Sequence, residues 1–269
     1  MFNKGVTPEF IPERIYYLCK MVQDKPILDK ELVNMMEPES LNPGTKYYPL
    51  VRLSAIELGL INKNEDDYIS YISKKEYIES LDSFRRYCNS IVWKDNDSLF
   101  NKITIAFLNS NDSWLQYGSI TSINVINEIR DFTKDSNADN KHILGHRFWM
   151  SFLGMGYIQE RDKDIYFLPN MYVALKDFII LSDFEQGREY SIREFEERIS
   201  IISKVPFGNK IDNSVKMNLA LSNALRTLYD KKEIDLKRNL DSKEEWDLFE
   251  SDIHAFGNKV THIIIKGVK

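Results

Sequence analysis

The chain has 269 residues, enough for two or three modules of roughly 100 residues each. A composition of 43 % apolar, 29 % charged and 12 % aromatic residues is that of a folded protein; it excludes disordered, collagen-like and mucin-like classes, and two cysteines exclude a disulfide-stapled one. The formal net charge of −5 excludes a globally basic nucleic-acid binder, so any DNA-facing surface must be local.

The first thirty residues carry Glu9, Glu13 and Asp24 and no long apolar core, so no signal peptide is expected. No stretch approaches the ~18 apolar residues of a membrane helix. Cys19 and Cys88 lie among apolar residues at helical spacing, as buried reduced thiols do. The expectation is a soluble cytoplasmic protein with no membrane partner. An abundance of Asn, Lys and Ile fits an A+T-rich bacterial genome.

After Pro12, Ile15, Leu18, Cys19 and Val22 fall on one helical stripe, which Lys25 and Pro26 end. A short second helix begins near Asp29, read as its N-cap, carries Leu32, Val33 and Met36, and stops by Pro38. Asn42 and Pro43 open a third, over 44–59, where Tyr47, Leu50, Val51, Ser54 and Leu58 recur at helical spacing and Gly59 supplies the left-handed stop. The period then changes: apolar Leu60 and Ile61, a polar turn from Asn62 to Asp67, and Tyr68 to Ile72 read as a hairpin. Three helices and a ribbon make a winged helix-turn-helix module, whose third helix ordinarily enters a DNA major groove.

The pattern recurs at an offset of 97 residues. Leu58-Gly59-Leu60-Ile61, the turn and Tyr68-Ile69 align without a gap on Met155-Gly156-Tyr157-Ile158, Gln159 to Asp164 and Ile165-Tyr166, with Val51 on Phe148 and Ser54 on Ser151. Helices are expected through Leu99, Ile103 and Phe107, through Ile123, Ile126, Ile129 and Phe132, and from Leu144 to Leu153. Tyr77, Leu81, Phe84, Cys88 and Ile91 form a connecting helix that packs one module on the other. Farther on, Ser191 with Glu194 is a capping box for a helix through Phe195, Ile199 and Ile202; Pro206 and Gly208 break it; a helix from Val215 to Tyr229, an alternating Ile234 and Leu236, and a strand from Val260 to Ile265 follow. The predicted class is mainly α with short β-hairpins (α+β), as tandem winged helices. The predicted organisation is winged helix 1 over 1–75, a connecting helix over 76–94, winged helix 2 over 95–182, and a region over 183–269 that allows a third winged-helix-like module.

Little in the sequence points to catalysis, a metal or a cofactor, and none is expected. Gly154-Met155-Gly156 is the only Gly-x-Gly and sits at a helix end, where a C-cap explains it. His142 and His146 share a helix face without the Glu of a metalloprotease or a third ligand, and read as polar residues facing solvent or DNA. Asp235-Leu236-Lys237, after Asp230 and Glu233, is the nearest approach to a nuclease triplet, but such triplets are common in charged chains and a solvated strand edge explains it. His254 and His262 read as surface or end-of-strand residues.

The candidate DNA contacts are Lys46, Tyr47 and Arg52 on the first recognition helix, and Lys141, His146 and Arg147 on the second, which spans 139–156. The wing tips oppose them: Lys63 faces Glu65, Asp66 and Asp67, and Arg161 with Lys163 faces Glu160, Asp162 and Asp164. Over 204–238 eight cations, Arg226, Lys231, Lys232, Lys237 and Arg238 among them, meet four carboxylates, which makes this stretch a candidate phosphate-contacting patch.

The run from Pro12-Glu13-Arg14-Ile15 to Glu57-Leu58-Gly59-Leu60-Ile61, its repeat, and the ending Val260-Thr261-His262-Ile263 resemble tandem winged-helix proteins of bacterial defence islands, of the DpdG type. The resemblance covers the order of elements over most of the chain. It implies a non-enzymatic antiviral component that works beside nucleases and helicases on foreign DNA. Two functions are therefore expected in competition. One is double-stranded DNA binding within a multi-protein anti-phage system. The other is a winged-helix scaffold or homodimer that grips a nuclease, a helicase or an SMC-like ATPase, which the acidic wings, the net charge and the many aromatics favour.

Overall fold

The computed structural model describes every residue except 1, 3–5, 10, 42, 43, 45, 96, 137, 208–215, 252, 253 and 269. The expected helix openings at Asn42, Pro43 and Val215, and the break at Gly208, lie outside the described residues. The fold is α+β: helices carry most of the core and several small antiparallel sheets brace them.

Helix α1 (Pro12–Met21) forms as its stripe dictates, and Ile15, Leu18, Cys19 and Val22 are all buried. Each such side chain contributes about 1.5–3 kcal/mol by leaving water. Strand β1 (Ile27–Leu28) follows, then α2 (Asp29–Met36) and α3 (Tyr48–Glu57). Asp29 is not the N-cap of α2: Leu28 holds that position and the Asp29 carboxylate points to α3 and the hairpin. Helix α3 starts four residues after the expected 44, with Pro49 in its first turn. Its orphan N-terminal amides are met from another element, because the buried Glu37 carboxylate accepts from the backbone N–H of Tyr47 and of Tyr48. Strands β2 (Ile61–Lys63) and β3 (Tyr68–Tyr71) form the hairpin, and β1 adds to β3, giving the order β1-β3-β2.

The connecting segment is broken in two. A 3₁₀ turn (Lys75–Ile78) precedes α4 (Leu81–Ile91), whose N-cap Ser80 accepts from the Ser83 amide at 3.0 Å. Helix α4 touches α1 and several helices later in the chain. Next come α5 (Leu99–Asn109), α6 (Ile123–Thr133) and α7 (Asn140–Leu153), then the hairpin of β4 (Gly156–Arg161) and β5 (Asp164–Pro169).

The rest of the chain repeats the element order of the first 71 residues. Helix α8 (Tyr172–Leu181), β6 (Glu189–Ser191), α9 (Ile192–Ile202), α10 (Leu219–Asp230), β7 (Ile234–Lys237) and β10 (His262–Ile265) assemble with strand order β6-β10-β7. Between β7 and β10 the chain makes an excursion through a small ladder, β8 (Trp246–Asp247) with β9 (Lys259–Val260). The expected strand from Val260 to Ile265 is thus two strands, separated at Thr261. Helix α8 packs on α9 and α10 and also on α4.

The repeat has a different register from the gapless 97. At the end of α3, Leu60 N–H donates to Ala55 O at 3.0 Å, with Gly59 left-handed at φ 67°. The same bond runs from Met155 to Met150 at 2.9 Å with Gly154 at φ 78°, and from Glu233 to Leu228 at 2.9 Å with Lys232 at φ 60°. The ends of the third helices therefore correspond at offsets of 95 and 173. Burial agrees: Val51 and Ser54 are buried, whereas Phe148 is half-buried and Ser151 exposed, so those two expected matches fail.

Candidate functional site

The third helix of each unit is where a groove-reading surface is expected, so its outward face decides what each unit can bind. On α3, Tyr48, Val51, Ser54 and Ala55 face the core. The opposite strip is Pro49, Leu50, Leu53, Ile56 and Glu57, and its large side chains lie open: Leu50 is 37 %, Leu53 50 % and Ile56 37 % exposed. One charge lies on that strip, and it is negative.

The basic residue expected to serve this helix is turned away and neutralised. The Arg52 guanidinium donates to Asp29 Oδ2, Lys63 Nζ reaches the same oxygen at 2.9 Å, and the Tyr48 hydroxyl donates to Asp29 Oδ1 at 2.5 Å. Burial alone would raise the Asp29 pKa; the hydrogen bonds from Tyr48, Arg52 and Lys63 outweigh it and hold the carboxyl down at about 2. Tyr47 is buried, donates its hydroxyl to Met36 O and carries the Arg14 guanidinium 3.8 Å above its ring. Of this trio only Lys46 is exposed.

The equivalent strip of α7 is Leu144, Gly145, Phe148, Ser151 and Phe152, and the chain covers part of it itself. Residues Val6 and Thr7 cross at Gly145 so closely that a Cβ there would lie 2.6 Å from Thr7 Cα. His146 is corrected from a DNA contact to a core residue. It is fully buried, with Nε2 3.1 Å from Thr104 Oγ1 and its ring between Phe100 and Phe107 at centroid distances of 4.3 and 5.7 Å. Burial lowers its pKa to about 3, so the imidazole is neutral and cannot serve a phosphate. Trp149 is buried as well. Arg147 donates to Glu160 at 2.7 Å and Lys141 lies 3.4 Å from Glu9. Buried His146 Nδ1 and Arg147 Nε, both on α7, lack a hydrogen-bond partner.

On α10 the equivalent strip is Ser222, Asn223, Arg226, Tyr229 and Asp230, and the excursion before β10 closes over it. Phe249 N–H donates to Ser222 Oγ at 2.8 Å, Arg226 donates to Asn258 Oδ1 at 2.9 Å, Phe256 packs on Tyr229 at 5.6 Å, and His254 Nε2 lies 3.0 Å from Asp230 Oδ1. Arg226 is thus buried, and burial lowers its pKa. The expected cationic patch is dispersed by carboxylates remote in sequence: Lys237 pairs with Glu189 at 2.5 Å and Arg238 with Glu245 at 2.7 Å. Lys231 sits 4.8 Å over the Tyr172 ring, and Lys232 is exposed. Lys210 and Asp212 lie outside the described residues.

The nuclease-like acids do not converge. Asp235 pairs with Lys266 at 3.0 Å, Glu233 with Lys176 at 2.8 Å, and Asp230 faces His254. Among the described residues no three His, Cys, Asp or Glu side chains gather to hold a metal ion. A cleft of about 10 Å³ lined by Ser110, Trp114, Gly118 and Phe167 holds at most one water. No described helix is long and apolar enough to cross a membrane. Cys19 and Cys88 are buried free thiols, and burial pushes Cys19 up to about 12.

Two features escape a reading of the residues. Helical spacing counts Leu50 toward the core because spacing alone does not say which side the core lies on, and Leu53 and Ile56 carry no signal of their own. The covering of α7 and α10 rests on contacts across more than a hundred residues in one case and a long loop in the other. No protein-family model matches this chain, and neither does any curated protein or solved structure.

Proposed function

We propose that this chain is a non-catalytic interaction subunit built of three winged-helix units in series, and that its first unit docks a partner protein through the outward strip of α3. The observation that carries this reading is the chemistry of that strip: Pro49, Leu50, Leu53 and Ile56 lie open beside one carboxylate, where a groove-reading helix needs cations and hydrogen-bond donors. The rest of the first unit agrees. Nine of the seventeen large apolar residues exposed among the described residues fall within the first 75 positions. The resemblance to defence-island winged-helix proteins suggests a nuclease, helicase or ATPase acting on foreign DNA as the partner, so that contact with DNA is made by the partner.

Two measurements test the reading together. Co-expression with the products of adjacent genes is expected to yield a complex with the wild type that Leu53→Glu abolishes. A gel shift of duplex DNA with the isolated chain at low salt is expected to show no band. A low-salt shift that charge reversal at Arg147 or Lys232 removes would replace this reading with direct DNA binding.

A further inference from the structure

We propose that the second unit carries a slot for an extended peptide along α7, and that the chain's own residues 6–9, with Phe2, fill it as a releasable strap. The inference is independent of docking at α3. Three contacts place the strap. Glu9 lies 3.4 Å from Lys141, the Val6–Thr7 peptide lies on Gly145, and the Phe2 ring meets Trp149 edge-on at 5.1 Å. Lys141, Gly145 and Trp149 are spaced four residues apart on α7, so they form one ridge of the helix about 12 Å long. The strap runs along that ridge in the opposite direction.

The middle of the slot is built for backbone. A Cβ at Gly145 would lie 2.6 Å from Val6 O and from Thr7 Cα, and the residues at the same place on the third helices of the other units are Leu50 and Asn223. Glycine inside a helix costs stability relative to alanine, and a close crossing is what this one permits. The two ends supply side-chain chemistry: Phe100 and Trp149 receive an aromatic ring, and Lys141 receives a carboxylate. The hold on the strap is light. Among the described residues no backbone hydrogen bond joins 6–9 to α7, and the Glu9–Lys141 pair is 35 % and 56 % exposed, hence screened by solvent. Val6 is the one buried side chain of 6–9. Burial of a valine is worth about ten- to a hundredfold in an equilibrium and the half-buried Phe2 adds less, so the strap opens locally while the core stays folded. The open slot takes a partner segment of the strap's own chemistry: an aromatic residue at one end, a compact β-branched residue over the glycine, and a carboxylate at the other end.

Two experiments on the full chain test this. The thiol introduced by Val6→Cys is expected to react with an aromatic disulfide reagent, under native conditions, at least about tenfold faster than the buried thiols of Cys19 and Cys88. Reaction no faster than theirs overturns the release of the strap. A fluorescent peptide of residues 1–11 is then measured by anisotropy. It is expected to bind the Val6→Asp chain at least about tenfold more tightly than the wild type, whose own strap competes, and to lose that binding when Gly145→Leu is added. Leu53→Glu is expected to change nothing. Circular dichroism checks that each variant is folded, and Phe2→Ala takes the place of Val6→Asp if that variant is not. Binding to neither chain, equal binding to both, or binding that survives Gly145→Leu overturns the inference. Binding lost with Leu53→Glu also overturns it, by moving the peptide to α3, and leaves docking there intact. Sedimentation of the wild type as a dimer that Val6→Asp converts to a monomer overturns the filling of the slot by the same chain in favour of a second copy's strap.

Discussion

Replacing Asp29 with alanine removes the anion on which three elements of the first unit converge. The side chain is 14 % exposed and accepts from Tyr48 and Arg52 of α3 and from Lys63 of β2. Lowering its pKa from 3.8 to about 2 corresponds to a contribution on the order of 2 kcal/mol. Because the folded value is the lower one, that contribution is fully present above pH 3.8 and disappears as pH falls toward about 2. Urea unfolding followed by far-ultraviolet circular dichroism, at pH 7, 4 and 2.5, is the assay. The wild type is expected to exceed Asp29→Ala by about 2 kcal/mol at pH 7, with the gap narrowing below pH 4. Equal stability at pH 7, or a gap that persists unchanged at pH 2.5, would refute the assignment of Asp29 as the hub that turns Arg52 inward.

Three further outcomes follow from the packing. Gly145→Ala places a methyl against Thr7 and Val6 backbone, so residues 6–9 are expected to exchange amide hydrogens faster at a cost of about 1–3 kcal/mol; unchanged exchange there would contradict the crossing. His146 is expected to show no ring-proton titration between pH 7 and 4.5 by NMR. Its folded pKa of about 3 is below the ordinary 6.5, so its stabilising effect is full above 6.5 and lost as pH falls toward 3; a midpoint near 6.5 would mean the ring is exposed. Asp177, 2 % exposed on α8, accepts from Arg85 at 2.9 Å and Asn89 at 2.9 Å on α4. Asp177→Ala leaves Arg85 without its buried partner and is expected to cost about 3–5 kcal/mol in urea unfolding; a loss below about 1 kcal/mol would show that this pair does not tie the connecting helix to the third unit.

Much of the local structure was legible because single residues or short stripes decide it. The α1 stripe is buried as its spacing requires, Gly59 is left-handed, and Ser191 Oγ accepts from the Glu194 amide at 3.1 Å as a capping residue. The register of the repeat was not legible, since Gly154-Met155-Gly156 offers two glycines and similarity to Leu58-Gly59 selects the wrong one. Closure of the last helical turn selects Gly154, against which Val173 and Ala174 pack too closely for a side chain. The third unit was obscure for two reasons: Lys232 takes the left-handed position that glycine marks elsewhere, and the long excursion separates β7 from β10. The site residues failed most often for one physical reason. A count of cations along the chain omits partners remote in sequence, and Asp29, Glu160, Glu189 and Glu245 absorb four of the arginines and lysines expected to meet phosphates.

Photo-crosslinking from the middle of the α3 strip tests protein docking most directly. A benzoylphenylalanine in place of Leu53, irradiated in cells that express the chain with its neighbouring genes, is expected to give a polypeptide adduct that maps to one partner, while the same probe in place of the exposed Leu240 gives none. A nucleic-acid adduct at position 53, or identical adduct patterns at both positions, would contradict the account.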